Sequence, residues 1–547
     1  MYVCWSVKGG SGTSVVACAL AVVRGRERLS SFPPRGLTRL EFSLASRSMA
    51  APDTVWVFGD QLNRNIGALA NATPDTHRVL MVIARNKVQS RRWHVQRLHL
   101  IVTAMRRFAD ELRDEGFDVD VRVAGTMAAG LHEHVTAYAP GKVVATEPNS
   151  LGAQAMLERL GVHTVRSTQF LCHPEDFAAW LGDRTKVRME DFYRWQRRRL
   201  DVLMDGDEPV GGEWNFDADN RQRPPKDGHD RWPAPVRYAV RDEDIAFVDS
   251  LGADTFGAPP DGTWPTTRAE ALQRLDQFID DVLPMFGPHE DAMLADNWHL
   301  AHSALSPALN LGLLLPGEVV RRAEATYRAG RVPIASAEGF IRQIIGWREY
   351  VWNLYWKWMP DYGQLNELDA QMPLPPLFDG RATTSMLCVS GIIADIDARG
   401  WVHHIPRLMV LGNLALIAGV DPQRFTDWMW ESFVDGAEWV MIPNVIGMSL
   451  HADGGMMATK PYAAGGAYID RMSDYCKGCR YDRTKRVGDD ACPFTTLYWD
   501  FLLRHEERFM RNPRIATQVR AARKLSDVDD TRRRGADVLR LLANGEL

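Results

Sequence analysis

Thr54-Val55-Trp56-Val57-Phe58-Gly59-Asp60-Gln61-Leu62 is a short apolar run that stops at a glycine and an acid. Its length and composition predict a strand over Thr54–Phe58. Further strands are expected at Val79–Ala84, Val119–Val123 and Lys142–Thr146. Between them, Arg97–Glu115 repeats Leu98, Ile101, Val102, Met105, Phe108 and Leu112 at helical spacing, and Ala153–Leu160 is a helix stopped by Gly161. Strands alternating with helices predict an α/β fold with a doubly wound parallel sheet over residues 49–182. Ligands of such sheets bind at the carboxyl ends of strands, where Asp60 lies.

Downstream the period changes. Residues 183–265 read as a connector. It opens with Arg184–Asp201, where Lys186, Arg188, Arg197, Arg198 and Arg199 interleave with Phe192, Tyr193 and Trp195. Such a run is either a solvated helix face or a surface for phosphates. Gly211-Gly212-Glu213-Trp214-Asn215-Phe216-Asp217 and Asn220-Arg221 then predict a structured inter-domain loop. From 266 to 511 helical spacing dominates, as in Arg268–Phe286, Gly317–Ala329 and Ala337–Met359, and residues 512–547 read as an Arg-rich helix or tail. The expected whole is an α/β domain followed by a large helical one.

Residues 1–48 do not match the remainder of the chain. Lys8-Gly9-Gly10-Ser11-Gly12-Thr13-Ser14 resembles the start of a MinD/ParA-type ATPase, but Thr13 stands where that family has its second lysine. The segment is expected to be a disordered extension or a gene-start artefact, with Met49 an original start.

Composition narrows the function classes. The chain has 547 residues, 45% hydrophobic and 25% charged, which excludes a disordered tail protein, a collagen-like fibre and a disulfide miniprotein. Its net charge of −5 means that any nucleic-acid role rests on a local basic surface. Seven cysteines in so long a chain point to a reducing cytoplasm. The longest apolar runs, Val15–Val23 and Leu408–Val420, are too short for a membrane span, and arginines follow the first where a signal cleavage site would stand. Of 18 tryptophans, eight fall between Trp347 and Trp439, enough for a large helical core or for a region that stacks on a flat ring or conducts electrons.

Three constellations carry chemistry. Cys476-Lys477-Gly478-Cys479, Cys492-Pro493 and the upstream Cys388 supply four thiolates, the ligand set of a zinc ion or an iron–sulfur cluster. Cys4, Cys18 and Cys172 lack partners and are assigned to packing. Ser303-Ala304-Leu305-Ser306-Pro307, with Arg342, Gln343, Trp347 and Arg348 downstream, offers hydroxyls and cations for a phosphate, or an N-cap and an ordinary helix-face network. Trp401-Val402-His403-His404-Ile405-Pro406-Arg407-Leu408-Met409 precedes Trp428 and the segment Asp435–Met448, and one histidine there can serve as a proton donor.

Together these segments resemble one family. G-D-Q-L, G-G-x-W-N-x-D-x-x-N-R, S-x-L-S-P-x-L-N-x-G-L-L, R-Q-x-x-x-W-R-E, W-x-H-H-I-x-R-L-M, D-G-x-E-W-V-M-x-P-N-V-x-G-M and the four cysteines look like the iron–sulfur bacterial cryptochromes and photolyases, the prokaryotic (6-4) photolyases, across residues 53–510. The resemblance implies light-driven repair of (6-4) photoproducts in UV-damaged DNA by a monomer with no membrane attachment. FAD would sit in the helical domain, where Ser303, Leu305, Ser306, Arg342, Gln343, Trp347, Arg348, Asp435 and Asn444 are candidate ligands. A [4Fe–4S] cluster would be held by Cys388, Cys476, Cys479 and Cys492. His404, beside His403, would move the proton, and Trp428 would feed electrons to the flavin. Leu408, Met448 and Tyr462 would line the lesion pocket, while Asp217 and Arg221 approach the DNA, with Asp217 helping to bind Mg2+. Arg197 and Arg198, in the basic run, would meet phosphates.

Two departures stand out. Asp60 matches the site of a ribityl-lumazine antenna, but the second strand runs on through Ile83 to Lys87 where the resemblance calls for acidic residues. Met429 follows Trp428 where a second aromatic is expected, so the electron path would continue through Trp430 or another residue. A cryptochrome-like photoreceptor and a zinc-stabilised nucleic-acid-binding protein are the competing readings.

Overall fold

The computed structural model describes residues 51–184, 186–226 and 231–547, so the phosphate-loop-like opening with Cys4 and Cys18 lies outside the described residues. Five parallel strands form one sheet: β1 (Asp53–Val57), β2 (His77–Ala84), β3 (Asp118–Ala124), β4 (Val143–Thr146) and β5 (His163–Val165). Their order is β3-β2-β1-β4-β5, doubly wound from β1. Successive side chains on a strand point to opposite faces, and this period sorts the apolar residues into two cores. Val55, Val57, Val79, Met81 and Ile83 pack with Leu98, Met105, Phe108 and Leu112 of helix α1 (Val95–Asp114). Trp56, Phe58, Leu80 and Val82 pack on the other face with Leu131 and Leu157. β5 escaped the sequence reading because His163-Thr164-Val165 is an edge strand without an apolar run.

The basic run folds as helix α2 (Met189–Leu200), with Phe192, Tyr193, Gln196 and Arg197 turned inward. The helical part begins inside the expected connector, since Trp232 and Trp264 are core residues and Trp264 Nε1 donates to Arg399 O at 2.9 Å. Helices α3 (Leu387–Arg399), α4 (Pro422–Ser432), α5 (Pro493–Arg504) and α6 (Val528–Asn544) belong to this part. Residues 512–547 are not a loose tail. Val538, Leu542 and Leu547 are buried, and α6 meets α5 so closely at Gly535 that a Cβ there would lie 2.8 Å from Asp500 Cγ.

Several helices are interrupted by π turns, in which an extra residue is accommodated per turn and the side chains beyond are re-aimed. Three of these, Arg342–Arg348, Pro406–Gly412 and Pro443–Ser449, carry candidate site residues. Among the described residues no helix is long and apolar enough to cross a membrane.

Candidate functional site

His403 ends an irregular segment, and His404 opens the helical turn that runs into the π turn Pro406–Gly412. His403 is buried. His404 is exposed, while the protein packed around it removes part of its hydration. Loss of hydration pushes the His404 pKa down to about 4, and the Arg407 charge adds to the shift. His404 is therefore a neutral imidazole at neutral pH, able to donate one N–H and accept at the other nitrogen.

Behind it lies a polar knot centred on Asp435, which is buried. Arg407 donates to both carboxylate oxygens at 2.9 and 3.0 Å, and its Nε donates to Val402 O at 2.7 Å. Ser306 Oγ donates to Asp435 at 2.6 Å, Trp401 Nε1 at 3.2 Å, and Asn310 Nδ2 reaches Asp435 O at 2.8 Å. From the α/β half, Arg97 of α1 donates to Phe433 O at 3.1 Å. Burial brings the Arg97 pKa down to about 10, with the nearby Asp435 opposing that shift. The knot ties both halves of the molecule to the segment that holds the histidines.

A second network holds the 211–221 loop. Buried Glu338 accepts from Tyr193 O–H at 2.8 Å, from Arg342 Nε at 3.1 Å and from Phe216 N–H at 3.1 Å. Arg342 also pairs with Asp217. Arg221 extends from the same loop, 65% exposed, with Asp217 at 3.7 Å and Asp291 at 4.0 Å. Burial raises the Tyr462 pKa while Arg221, Asp217 and Asp291 act on it electrostatically, so all four groups share one patch. Burial also pushes Glu290 up to about 8, and its Oε2 has no partner. Leu408 and Met448 are buried on the second and third π turns.

The four cysteines line one pocket, together with Met386, Ile469, Tyr475 and Phe494. Cys388 stands in the first turn of α3 and Cys492 caps α5, so two helix N-termini direct positive potential at thiols. Gly466 is required beside them, because a Cβ there would lie 2.9 Å from Cys492 Sγ. Burial pushes Cys476 up to about 12, and burial with the other three thiols pushes Cys388 well above the ordinary range. Four thiolates can coexist there only around compensating positive charge.

Residues 55–264 match the family described as deoxyribodipyrimidine photo-lyase-related protein. A (6-4) photolyase of Agrobacterium fabrum is 40% identical over 503 residues, which span 89% of this chain and 99% of that protein. The chain belongs to the photolyase-related family. Two solved structures share the fold. A bacterial class III photolyase of Agrobacterium tumefaciens matches with a TM-score of 0.55 at 16% identity, over 92% of this chain and all of that one. A Synechocystis cryptochrome matches at 0.50 and 14% identity, over 77% and 89%.

Within this photolyase-related chain the anticipated residues divide. Asp217, Arg221 and Tyr462 come together, as do Ser306 and Asp435. Arg342 is tied into the Glu338–Asp217 network and lies apart from the Asp435 knot. Gln343 and Asn444 donate to Gly339 O and Val440 O of their own helices, at 2.9 and 2.7 Å. Ser303 Oγ accepts from Leu305 N–H, and Trp347 packs edge-on to Tyr350. Arg197 must be reassigned from DNA contact. It is fully buried and spends its donors on Val202 O, Leu203 O and Trp214 O, so it caps the end of α2, whereas Arg198 is exposed over the Trp214 ring.

Trp428 is buried against Phe378, Phe425 and Phe433 and donates to Phe378 O at 2.7 Å. Trp430, two residues on along α4, points away toward Trp93 and Arg91. Asp60 accepts from Asn149 at 3.0 Å, and its carbonyl accepts from Gln169, which also bonds Asn310 O. The expected antenna contact therefore lies at a joint between sheet and helices. Cys172 is buried with its pKa raised to about 12, as packing predicts. Sequence reasoning missed Glu338, Tyr193 and Glu290. Arg407 lay inside the H-H-I-P-R segment, and its charge beside two histidines was the available signal.

Proposed function

We propose that this chain is a light-dependent (6-4) photolyase, with His404 the proton-handling residue. One observation carries the reading: His404 is exposed yet kept neutral by the protein and the Arg407 charge beside it, so a base swung out of a duplex can meet a neutral imidazole. The 40% identity to a (6-4) photolyase along 99% of that protein supports the same lesion class.

The residues fit FAD in one testable respect. The Arg348 guanidinium is buried between Phe170 and Trp439, and its Nε and Nη2 have no protein partner. An anionic, flat-ringed group satisfies such donors. Ser303, Leu305, Ser306, Arg342, Gln343, Trp347, Arg348, Asp435 and Asn444 would hold it. The cysteines fit a four-thiolate metal centre, since Cys388, Cys476, Cys479 and Cys492 all line one pocket. Such a ligand set suits an iron–sulfur cluster, and the 40% identity to a (6-4) photolyase along nearly its whole length favours the cluster that the resemblance implies. When bound, the flavin would supply light-driven one-electron chemistry and the cluster a redox-active staple.

The chain's own groups bind, orient and protonate. Exposed Arg184, Lys186, Arg188 and Arg198 face the phosphates without reading sequence. Arg221 and Tyr462 flank the entrance, and Asp217 with Asp291 offers carboxylates for Mg2+. Leu408 and Met448 supply apolar walls, and His404 holds or moves a proton at its ring nitrogen. Among the described residues no cysteine forms a disulfide, in keeping with a cytoplasmic protein. The test is blue-light repair of a duplex carrying one (6-4) lesion. Repair that is lost in His404→Ala supports the reading. A coloured, DNA-binding protein that never repairs overturns it in favour of a photoreceptor.

A further inference from the structure

The segment leading to Ser303 contains a third histidine that the resemblance does not assign. His302 lies between Leu300 and Ala304, both non-glycine residues in the left-handed region at φ 44° and 51°. Such backbone is costly and persists where surrounding structure holds it for a purpose. Between them the His302 ring lies inward, edge-on to Phe286 and flat against His403, with ring centroids 4.0 Å apart and planes within 18°.

A stack of two imidazoles this deeply buried avoids the cost of a buried charge when both rings are neutral. The surroundings enforce this. Burial pushes His302 down to about 3 and His403 well below the usual range, and His404, His299 and Arg407 oppose a charge on either ring. His302 Nε2 and His403 Nδ1 are buried without protein partners, so His403 is held by the contact between rings and not by a hydrogen bond at Nδ1. His403 is bonded in sequence to His404, and Arg407 N–H reaches only weakly back to His403 O at 3.5 Å.

We propose that His302 is a positioning residue of the reaction: its ring, stacked on His403, fixes the turn that presents the exposed His404 to substrate. This inference rests on the proton-handling role of His404. It differs from a merely structural role because the flat contact, not the ring nitrogens, does the positioning.

Three full-length variants test it: His302→Ala removes the stack, His302→Phe keeps a flat ring without nitrogens, and His404→Ala is the control. Each is compared for flavin absorbance per chain, dark affinity for a lesion-bearing duplex and repair per absorbed photon, and the two His302 variants also for the NMR titration of His404 in the dark. His302→Ala is expected to lower repair at least tenfold, with dark affinity changed less than twofold and the His404 titration moved up toward the ordinary range. His302→Phe is expected to restore most of the lost repair and the wild-type titration. Equal repair in His302→Ala and wild type, or a Phe variant as poor as Ala, overturns the proposal. Should the Ala variant not fold, a His404 titration displaced in His302→Phe overturns it alone. Full repair by His404→Ala would instead overturn the proton-handling role of His404 itself.

Discussion

Asp435 receives two hydrogen bonds from Arg407, at 2.9 and 3.0 Å, across a sequence separation of 28 residues. The pair is largely withdrawn from water, and Ser306 and Trp401 donate to the same carboxylate. It joins the histidine segment to the Ser303–Ser306 segment, so the geometry of His404 depends on a residue that never meets it.

Removing one partner leaves the other charge buried. Asp435→Ala is expected to cost about 3–5 kcal/mol of stability, because an uncompensated guanidinium remains. Urea unfolding of the variant and wild type checks this. The double variant Asp435→Leu with Arg407→Met is expected to recover part of the loss, and a double variant as unstable as Asp435→Ala would contradict the account.

His404→Ala is expected to reduce repair by about 10²–10⁴-fold, the range for loss of a positioned acid or base. Dark binding of the lesion duplex should change little, since phosphate contacts lie elsewhere. Paired measurements of repair per photon and dark dissociation constant separate the two effects.

Acid should destabilise the protein through its buried histidines. His404, His299, His451 and His505 are lowered to about 4, and His302 to about 3, all by burial first. Between the ordinary histidine pKa near 6.5 and these values each of the five histidines binds a proton in the unfolded chain and not in the folded one. These are five groups against the opposing effect of Glu290, raised to about 8. Stability therefore falls as pH drops through that window and is fully present above it. Thermal unfolding from pH 7.5 to 4.5 tests the sign, and a midpoint that stays level would refute it.

Cys388→Ser and Cys479→Ser should each yield protein that is insoluble or depleted of iron, because ligand loss removes metal-coupled folding energy. Iron per chain and the broad visible absorbance measure this directly. Soluble variants with a full iron complement would exclude the substituted residue as a ligand.

Arg198 and Arg197 are adjacent in sequence and opposite in effect. Arg198→Ala should weaken duplex binding and reduce the slope of log K against log salt by about one. Arg197→Ala should leave that slope alone and lower stability, since three carbonyls lose their donor. Binding isotherms at several salt concentrations, with unfolding curves, distinguish them.

Local periodicity and motif chemistry determined a good deal by themselves. Val55–Phe58 and Val79–Ala84 announce buried parallel strands because apolar runs are their own signal, and α1 announces its inner face through Leu98, Met105, Phe108 and Leu112. The four cysteines and the paired histidines could be picked out because few other roles need those residue types at that spacing. Tertiary structure decided the rest. Arg197 and Arg198 read identically as charges, and only the pitch of α2 puts one in the core and the other in water. Glu338 binding the 211–221 loop, Asp435 binding Arg407 and His302 lying flat on His403 are contacts between segments far apart in the chain. No period or spacing encodes them, because they exist only once π turns and left-handed residues have aimed the side chains, and those distortions are held by packing and not by local propensity.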